Sequence, residues 1–266
     1  MKLAYLYHSL RRDISNFSLL KHRAFDGFLI SMHQSGTHWL KHMLATALTH
    51  KLGLPPPQYI HANDVIPGPK DPPGNDRLPH IVSSHSIPHA LLGSQLVRHL
   101  VKLPPYVVLI RDIRASLVSN YEKWKEQYNC DFPEYLRGDV SGHRFNNDIW
   151  WCLRFCNRWG YLAQRYPDKT LIVKYEDLKS RPLNELRRIA DYWQLELDDS
   201  TLCYAIDEST KEKMTSKKDP ETPFGVTVVR NDRESFMELY DEELREYIKN
   251  ICDVFLKFDF DYDYNN

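Results

Sequence analysis

Residues 28 to 39, FLISMHQSGTHW, constrain this chain more than any other stretch. Phe28, Leu29, Ile30 and Ser31 have the continuous apolar character of a strand buried on both faces. Trp39, Leu40, Met43, Leu44, Ala47 and Leu48 then recur at helical spacing. Between them lies a short polar turn. Gly36 lets the backbone come close to a ligand, the first amides of the helix have no intrahelical partners, and Ser35, Thr37 and His38 add side-chain donors. That junction suits an anion, although an ordinary capped strand-turn-helix reads the same way. The G-x-x-x-x-G-K-S/T loop of kinases and ATPases is absent, because no lysine precedes a Ser or Thr here.

The rest of the chain alternates strand-like and helix-like segments, which predicts an α/β fold with a central parallel β-sheet flanked by helices. With 266 residues it is expected to form a single domain over 1–266. Strands are predicted at Ile81 and Val82, at Tyr106 to Ile110 and at Thr170 to Lys174. Helices are predicted over 112 to 127, from about Phe145 to Tyr166, from Pro182 to Tyr192, and from Glu238 to Phe255. Residues 52 to 80, dense in Pro, Gly, Asn and Asp, read as a long surface loop, and 129 to 144 as a second excursion. Both are candidate lids or binding loops. The acidic end DFDYDYNN reads as frayed.

Composition excludes several classes. Lys and Arg total 35 against 36 Asp and Glu, so there is no global basic field and nucleic acid is not an expected partner. Cys130, Cys152, Cys156, Cys203 and Cys252 are odd in number and contain no C-x-x-C pair, against a disulfide framework or zinc ribbon and in favour of a reducing cytoplasm. The start, MKLAYLYHSLRRD, has too short an apolar run for a signal peptide, and no later segment is an uninterrupted apolar span. A cytoplasmic protein off the membrane is expected. His38/His42 and His85/His89 share i, i+4 spacing, but without H-E-x-x-H or a third ligand no metal is expected.

Three segments fall in a telling order: S-G-T-H-W at 35 to 39, R-x7-S from Arg111 to Ser119, and YEDL at 175 to 178. Together with SSHSIPHALL, which holds His85, they resemble the donor-binding elements of sulfotransferases that use 3′-phosphoadenosine 5′-phosphosulfate (PAPS). The resemblance covers roughly residues 26 to 195. It implies a P-loop NTPase-like sulfotransferase fold, PAPS as donor with the desulfated PAP as product, and transfer of a sulfuryl group to a hydroxyl or an amine of a small-molecule acceptor. It assigns the phosphosulfate loop to His33, Gln34, Ser35, Gly36, Thr37 and His38, the 3′-phosphate to Arg111 and Ser119, and adenine contacts to Trp39 and Tyr175. His85 is implied as the general base, a role open to a neutral imidazole near pH 7. TVVRNDRESF, residues 227 to 236, resembles the family's closing segment only faintly and offers Arg230 to the 3′-phosphate.

Bland readings stand beside these. Arg111 and Asp112 also read as a surface ion pair, Trp39 as core, and YEDL as a strand end followed by an acidic helix start. The chain also departs from the family. Gln34 stands where a lysine or arginine usually supports the leaving oxygen, the loop is one residue shorter than in cytosolic relatives, and Ser83 replaces a further lysine. Three answers are open: protonated His33, Lys41 or another lysine supplies the charge; Gln34 donates a neutral hydrogen bond; or the protein binds PAP or PAPS without turnover. A P-loop kinase is disfavoured by the missing Gly-Lys-Ser/Thr. Residues 52 to 80, 129 to 150 and 203 to 225 frame the expected acceptor pocket, which suits an aromatic, glycan or alkaloid-like compound equally. The sequence does not set the oligomeric state.

Overall fold

The apolar runs become strands. In the computed structural model, which describes residues 1–15, 25–94, 101–217, 219 and 236–265, β1 is Gly27–Ser31, β2 Ile81–Ser84, β3 Tyr106–Ile110 and β4 Thr170–Lys174. They form one all-parallel sheet in the order β2-β1-β3-β4. β1 and β3 are buried at every position, as their unbroken apolar sequences require of strands covered on both faces. The period-2 alternation splits them. Phe28, Ile30, Val82, Tyr106, Val108 and Ile110 join one core, and Leu29, Ile81, Val107, Leu109 and Val173 join the other. Each such side chain contributes about 1.5–3 kcal/mol by leaving water.

Helices cover both faces. α1 is Lys2–Ser15, α2 Thr37–Lys51, α3 Ile113–Tyr128, α4 Phe132–Arg137, α5 Ile149–Arg165, α6 Tyr175–Ser180, α7 Pro182–Tyr192, α8 Asp199–Asp207, α9 Lys211–Ser216 and α10 Glu242–Phe255. α3, α5 and α10 pack on the first face through residues such as Leu117, Phe155, Trp159 and Ile248. α2, α7 and α8 pack on the second through Leu40, Met43, Ile189 and Leu202. Because β1 and β3 are neighbours and send α2 and α3 to opposite faces, a crevice opens at their C-terminal ends, where ligands of doubly wound sheets bind. The protein is thus a single α/β domain.

Some boundaries move for identifiable reasons. α5 begins at Ile149 rather than near Phe145, because Asp148 caps it by accepting from the Trp151 amide at 2.9 Å. α10 begins at Glu242 for the same reason: Asp241 accepts from the Leu244 amide at 2.9 Å. Residues 52–80 hold no regular element, yet Ile60 is buried and Ala62, Val65 and Ile66 sit in the second core. Within 129–144, α4 buries Phe132, Tyr135 and Leu136. The acidic end is anchored, contrary to expectation: Tyr264 is 7 % exposed, its hydroxyl accepts from the Ile113 amide at 3.3 Å, and Arg114 donates to the Asp263 carbonyl at 2.8 Å. Among the described residues no helix is long and apolar enough to cross a membrane.

Candidate active site

Each segment singled out in the sequence leaves the C-terminal end of a different strand. The 32–36 turn follows β1, His85 follows β2, Arg111 follows β3 and Tyr175 follows β4. In a parallel sheet those ends lie on one edge, so the topology gathers residues up to 141 positions apart in sequence, from Gln34 to Tyr175.

The turn is shaped by two left-handed residues, Gln34 (φ 59°) and Gly36 (φ 85°). Gly36 is the N-cap of α2 and supplies no side chain to its first amides, so those donors remain for a ligand. A Cβ at Gly36 would lie 2.8 Å from the Tyr175 ring, so only glycine fits here. Ser35, fully buried, turns inward and donates to the Met32 carbonyl at 2.6 Å. Its hydroxyl shapes the loop rather than facing the crevice. Thr37 donates to Ser31 Oγ at 2.9 Å.

Ser31 connects the loop to His85. The Ser31 carbonyl lies 2.8 Å from His85 Nδ1 and its hydroxyl 3.2 Å from the same nitrogen. A carbonyl only accepts, so Nδ1 carries the proton and Nε2 the lone pair. Burial, opposed by the Ser31 carbonyl and helped by the charges of Lys41 and Lys123, holds the His85 pKa below its ordinary value. The imidazole is therefore neutral at pH 7. His33 stacks on it at 4.1 Å and 22°, and Trp151 packs on His33 at 4.6 Å.

Arg111 donates to the Gln34 carbonyl at 2.8 Å and lies 4.5 Å from the centroid of the Tyr175 ring. Asp112 is committed elsewhere: it caps α3 through the Arg114 amide at 2.7 Å and pairs with the Arg114 guanidinium at 2.8 Å. The Arg111–Asp112 ion pair is thus not formed. Ser119 alone keeps some exposure in the otherwise buried run from Asp112 to Asn120. Glu176 of YEDL accepts from the Asp112 amide at 3.4 Å and from Tyr262 at 2.5 Å, tying β4 to β3 and to the C-terminal tail. Trp39 is half-buried against the second core and donates to the Ser209 carbonyl at 3.0 Å.

The charge that Gln34 does not carry is not supplied by His33. Burial, followed by the charges of His85 and Lys123, drives the His33 pKa far below its usual value, and His33 is neutral. Lys41 is buried, donates to Asn63 Oδ1 at 2.5 Å and has its pKa pulled, chiefly by burial, to about 8. It is still a cation at pH 7. Lys123 on α3 is the second positive charge felt at His33, His38 and His85, and only the fold reveals it. Ser31 and Trp151 were also missed, since nothing in their local sequence marks a strand-end serine or a helical tryptophan as part of a site. Arg230 lies outside the described residues. His42 is fully buried and lies 2.7 Å from the Ser209 hydroxyl, so His38 and His42 do not share a ligand. Among the described residues no group of three or more His, Cys, Asp or Glu is arranged to hold a metal.

A nucleotide fits this edge. The buried Nδ1 of His38 and Nε of Arg111 have no hydrogen-bond partner among the described residues; the Arg111 Nε donates, the His38 Nδ1 does so in the tautomer that carries its proton there, and with the uncapped amides of α2 they suit an anion. Residues 25–238 match the model of the sulfotransferase domain. The chain belongs to the sulfotransferase family. It is 25 % identical to sulfotransferase 6B1 of Danio rerio over 72 % of its length and 64 % of that protein, and 25 % identical to sulfotransferase 2A2 of Rattus norvegicus over 66 % and 62 %. It is 28 % identical to a flavonol sulfotransferase-like protein of Flaveria bidentis over 42 % of its length, spanning 36 % of that relative. The matches thus span between about a third and two thirds of these relatives. Among solved structures it resembles retinol dehydratase in complex with androsterone and PAP, with a TM-score of 0.64 and 15 % identity over 95 % of this chain and 87 % of that one. A mouse sulfotransferase complexed with PAP gives 0.57 and 16 % over 90 % and 87 %. The sulfotransferase fold of this chain is therefore the P-loop-like one of its neighbours.

Proposed function

We propose that this sulfotransferase transfers a sulfuryl group from PAPS to the hydroxyl of a small apolar acceptor in the cytoplasm, with an amine as the less favoured acceptor group. The observation that carries this reading is His85, a neutral imidazole held through Nδ1 by Ser31, the strand residue from which the loop to the uncapped α2 departs. PAPS, when bound, supplies the sulfuryl group and leaves as PAP. The residues of this chain do the rest. The α2 amides, Thr37 and His38 bind the 5′ end, Arg111 and Ser119 the 3′-phosphate, and Trp39 and Tyr175 flank the adenine. His85 takes the acceptor proton at Nε2 while Nδ1 stays bonded to the Ser31 carbonyl. Lys41 and Lys123 provide the positive field for the charge that develops on the leaving oxygen, and the Gln34 amide adds a neutral donor.

The solved neighbours are complexes with androsterone or retinol as well as PAP, which supports a hydrophobic alcohol as acceptor. Residues 52–80 and 129–144 are proposed to close over it, with His33 and Trp151 as aromatic walls. Gln34 and Ser83 favour a second reading, a PAP-binding protein without turnover. Calorimetric titration with PAP, AMP and ATP tests the donor site. PAP is expected to bind in preference to AMP, and Arg111→Ala to weaken PAP by about tenfold or more and AMP by less. Equal binding of PAP and AMP overturns the assignment. PAP binding with no sulfation of any alcohol in a broad acceptor screen supports the second reading.

A further inference from the structure

A column of four aromatic rings, Phe155, Trp151, His33 and His85, runs from the core to the candidate base. On α5, Trp151, Phe155 and Trp159 recur every four residues and so share one stripe of the helix. Phe155 is fully buried in the first core, and Trp151 stacks on it at 5.0 Å and 22°. Trp151 then packs on His33 at 4.6 Å, and His33 lies on His85 at 4.1 Å with 22° between the planes. The same stripe reaches the backbone beside His85. Trp159 donates to the Ser86 carbonyl at 3.0 Å, and the Ser86 amide donates to Ser84 Oγ at 3.1 Å. The Ser31 bond constrains the side chain less completely. It pins one ring atom, Nδ1, and χ2 of a histidine lies in a broad well, so that bond alone leaves the imidazole free to swing. The Nε2 lone pair lies in the ring plane and swings with it.

We propose that His33 is a positioning residue for His85, its ring clamping the plane of the imidazole so that Nε2 meets the acceptor in one orientation. The inference rests on the reading of His85 as the base and adds what holds that base in place. A catalytic group is kept within about 10–20° of its productive geometry by neighbours that are themselves locked by packing. His33 is locked from two sides. Trp151 backs its ring, and the next residue, Gln34, is left-handed (φ 59°) with its carbonyl held by Arg111 at 2.8 Å. A near-parallel ring covers one face of His85, opposes tilt and keeps water off that face. The stack also suits neutral rings, since two stacked imidazoliums repel. The titratable groups felt by the pair are His38, Lys41 on α2 and Lys123 on α3. Burial is the main reason that both rings stay neutral, and Lys123 adds to it. Opening one face of His85 to water therefore makes its protonation easier.

Heteronuclear NMR of the histidine ring nitrogens in the whole chain tests this and needs no acceptor, the His85 signals being those lost in His85→Ala. In the wild type His85 is expected to show one protonated nitrogen, Nδ1, and one bare one, Nε2, and to titrate below about pH 6.5. His33→Ala should draw the two nitrogen shifts together, as the ring exchanges between tautomers, and raise the midpoint by about one pH unit. His33→Phe puts back a flat ring and should restore the separation of the shifts. Trp151→Leu keeps His33 and removes its backing, so both readings should move the same way by less. Unchanged shifts and midpoint in a folded His33→Ala overturn the proposal, as does a His33→Phe that fails to restore the shifts. If far-UV circular dichroism shows His33→Ala unfolded, an unchanged spectrum in Trp151→Leu overturns it instead. The reading of His85 as the base fails separately: sulfation of naphthol from PAPS that persists in His85→Ala removes the base, and with it the catalytic purpose of the clamp, whatever the spectra show.

Discussion

Two strand-to-helix junctions stand side by side in this sheet and handle the same electrostatic problem in opposite ways. At β3–α3, Asp112 caps the helix and pairs with the buried Arg114 guanidinium, so the junction supplies its own anion. At β1–α2 the N-cap is Gly36, no side chain caps the helix and its first turn holds no acid. Both helices have the positive end of a macrodipole there. One is neutralised from within and is structural. The other is left open, and Arg111, released from Asp112, leans across to the Gln34 carbonyl and adds to its charge. The contrast shows that a binding junction is recognised as much by the carboxylate it lacks as by the donors it holds.

The largest expected effect lies on the open junction. His85→Ala should lower turnover by about 10²–10⁴-fold while PAP affinity changes little, because in the proposed mechanism the base acts on the acceptor. In the wild type, with the His85 pKa held below its ordinary value, the rate should stay flat down to about pH 6.5 and fall only below it, as the imidazole gains its proton. An acid limb above that pH, or equal loss of rate and PAP affinity in the variant, breaks the assignment. Next comes the closed junction. Asp112→Ala removes a cap and leaves a buried arginine unpaired, so stability should drop by about 3 kcal/mol, measured by urea unfolding, with PAP affinity within about tenfold of wild type. A collapse of PAP affinity there, in a folded variant, means the two junctions are not separate in role. The smallest effect is Gly36→Ala. Its left-handed φ and the 2.8 Å approach to Tyr175 should lower stability by about 1–2 kcal/mol. In a Tyr175→Ala background part of that loss should vanish, leaving the backbone strain alone.

The placement of the candidate site's segments on one sheet edge was legible because each follows a strand. An unbroken apolar run such as YVVLI announces a doubly covered strand, and the residue after it falls on the ligand-binding edge whatever the rest of the chain does. Thr170–Lys174 and Pro182–Tyr192 occur as expected, the second because a proline at the first helical position marks its start. What escaped depended on contacts between distant segments. Lys123 matters through its field on histidines of other elements. Residues 52–80 look like surface by composition, and Ala62, Val65 and Ile66 nevertheless join the core that α2 and α8 also form. α1 was unread because its apolar residues face away from any core within the chain.

The tail that reads as frayed has a consequence for how the protein is made. Tyr264 reaches Ile113 across 151 positions of sequence, and Tyr262 reaches Glu176 across 86. On a ribosome β1 and α2 emerge early, long before those two tyrosines exist. The candidate nucleotide site is therefore begun among the first parts of the chain and tied off among the last, and until then the N-terminus of α3 and the carboxylate of Glu176 wait without these partners. Nascent chains halted short of Tyr262 would hold the sheet and lack the bonds that fasten its donor edge.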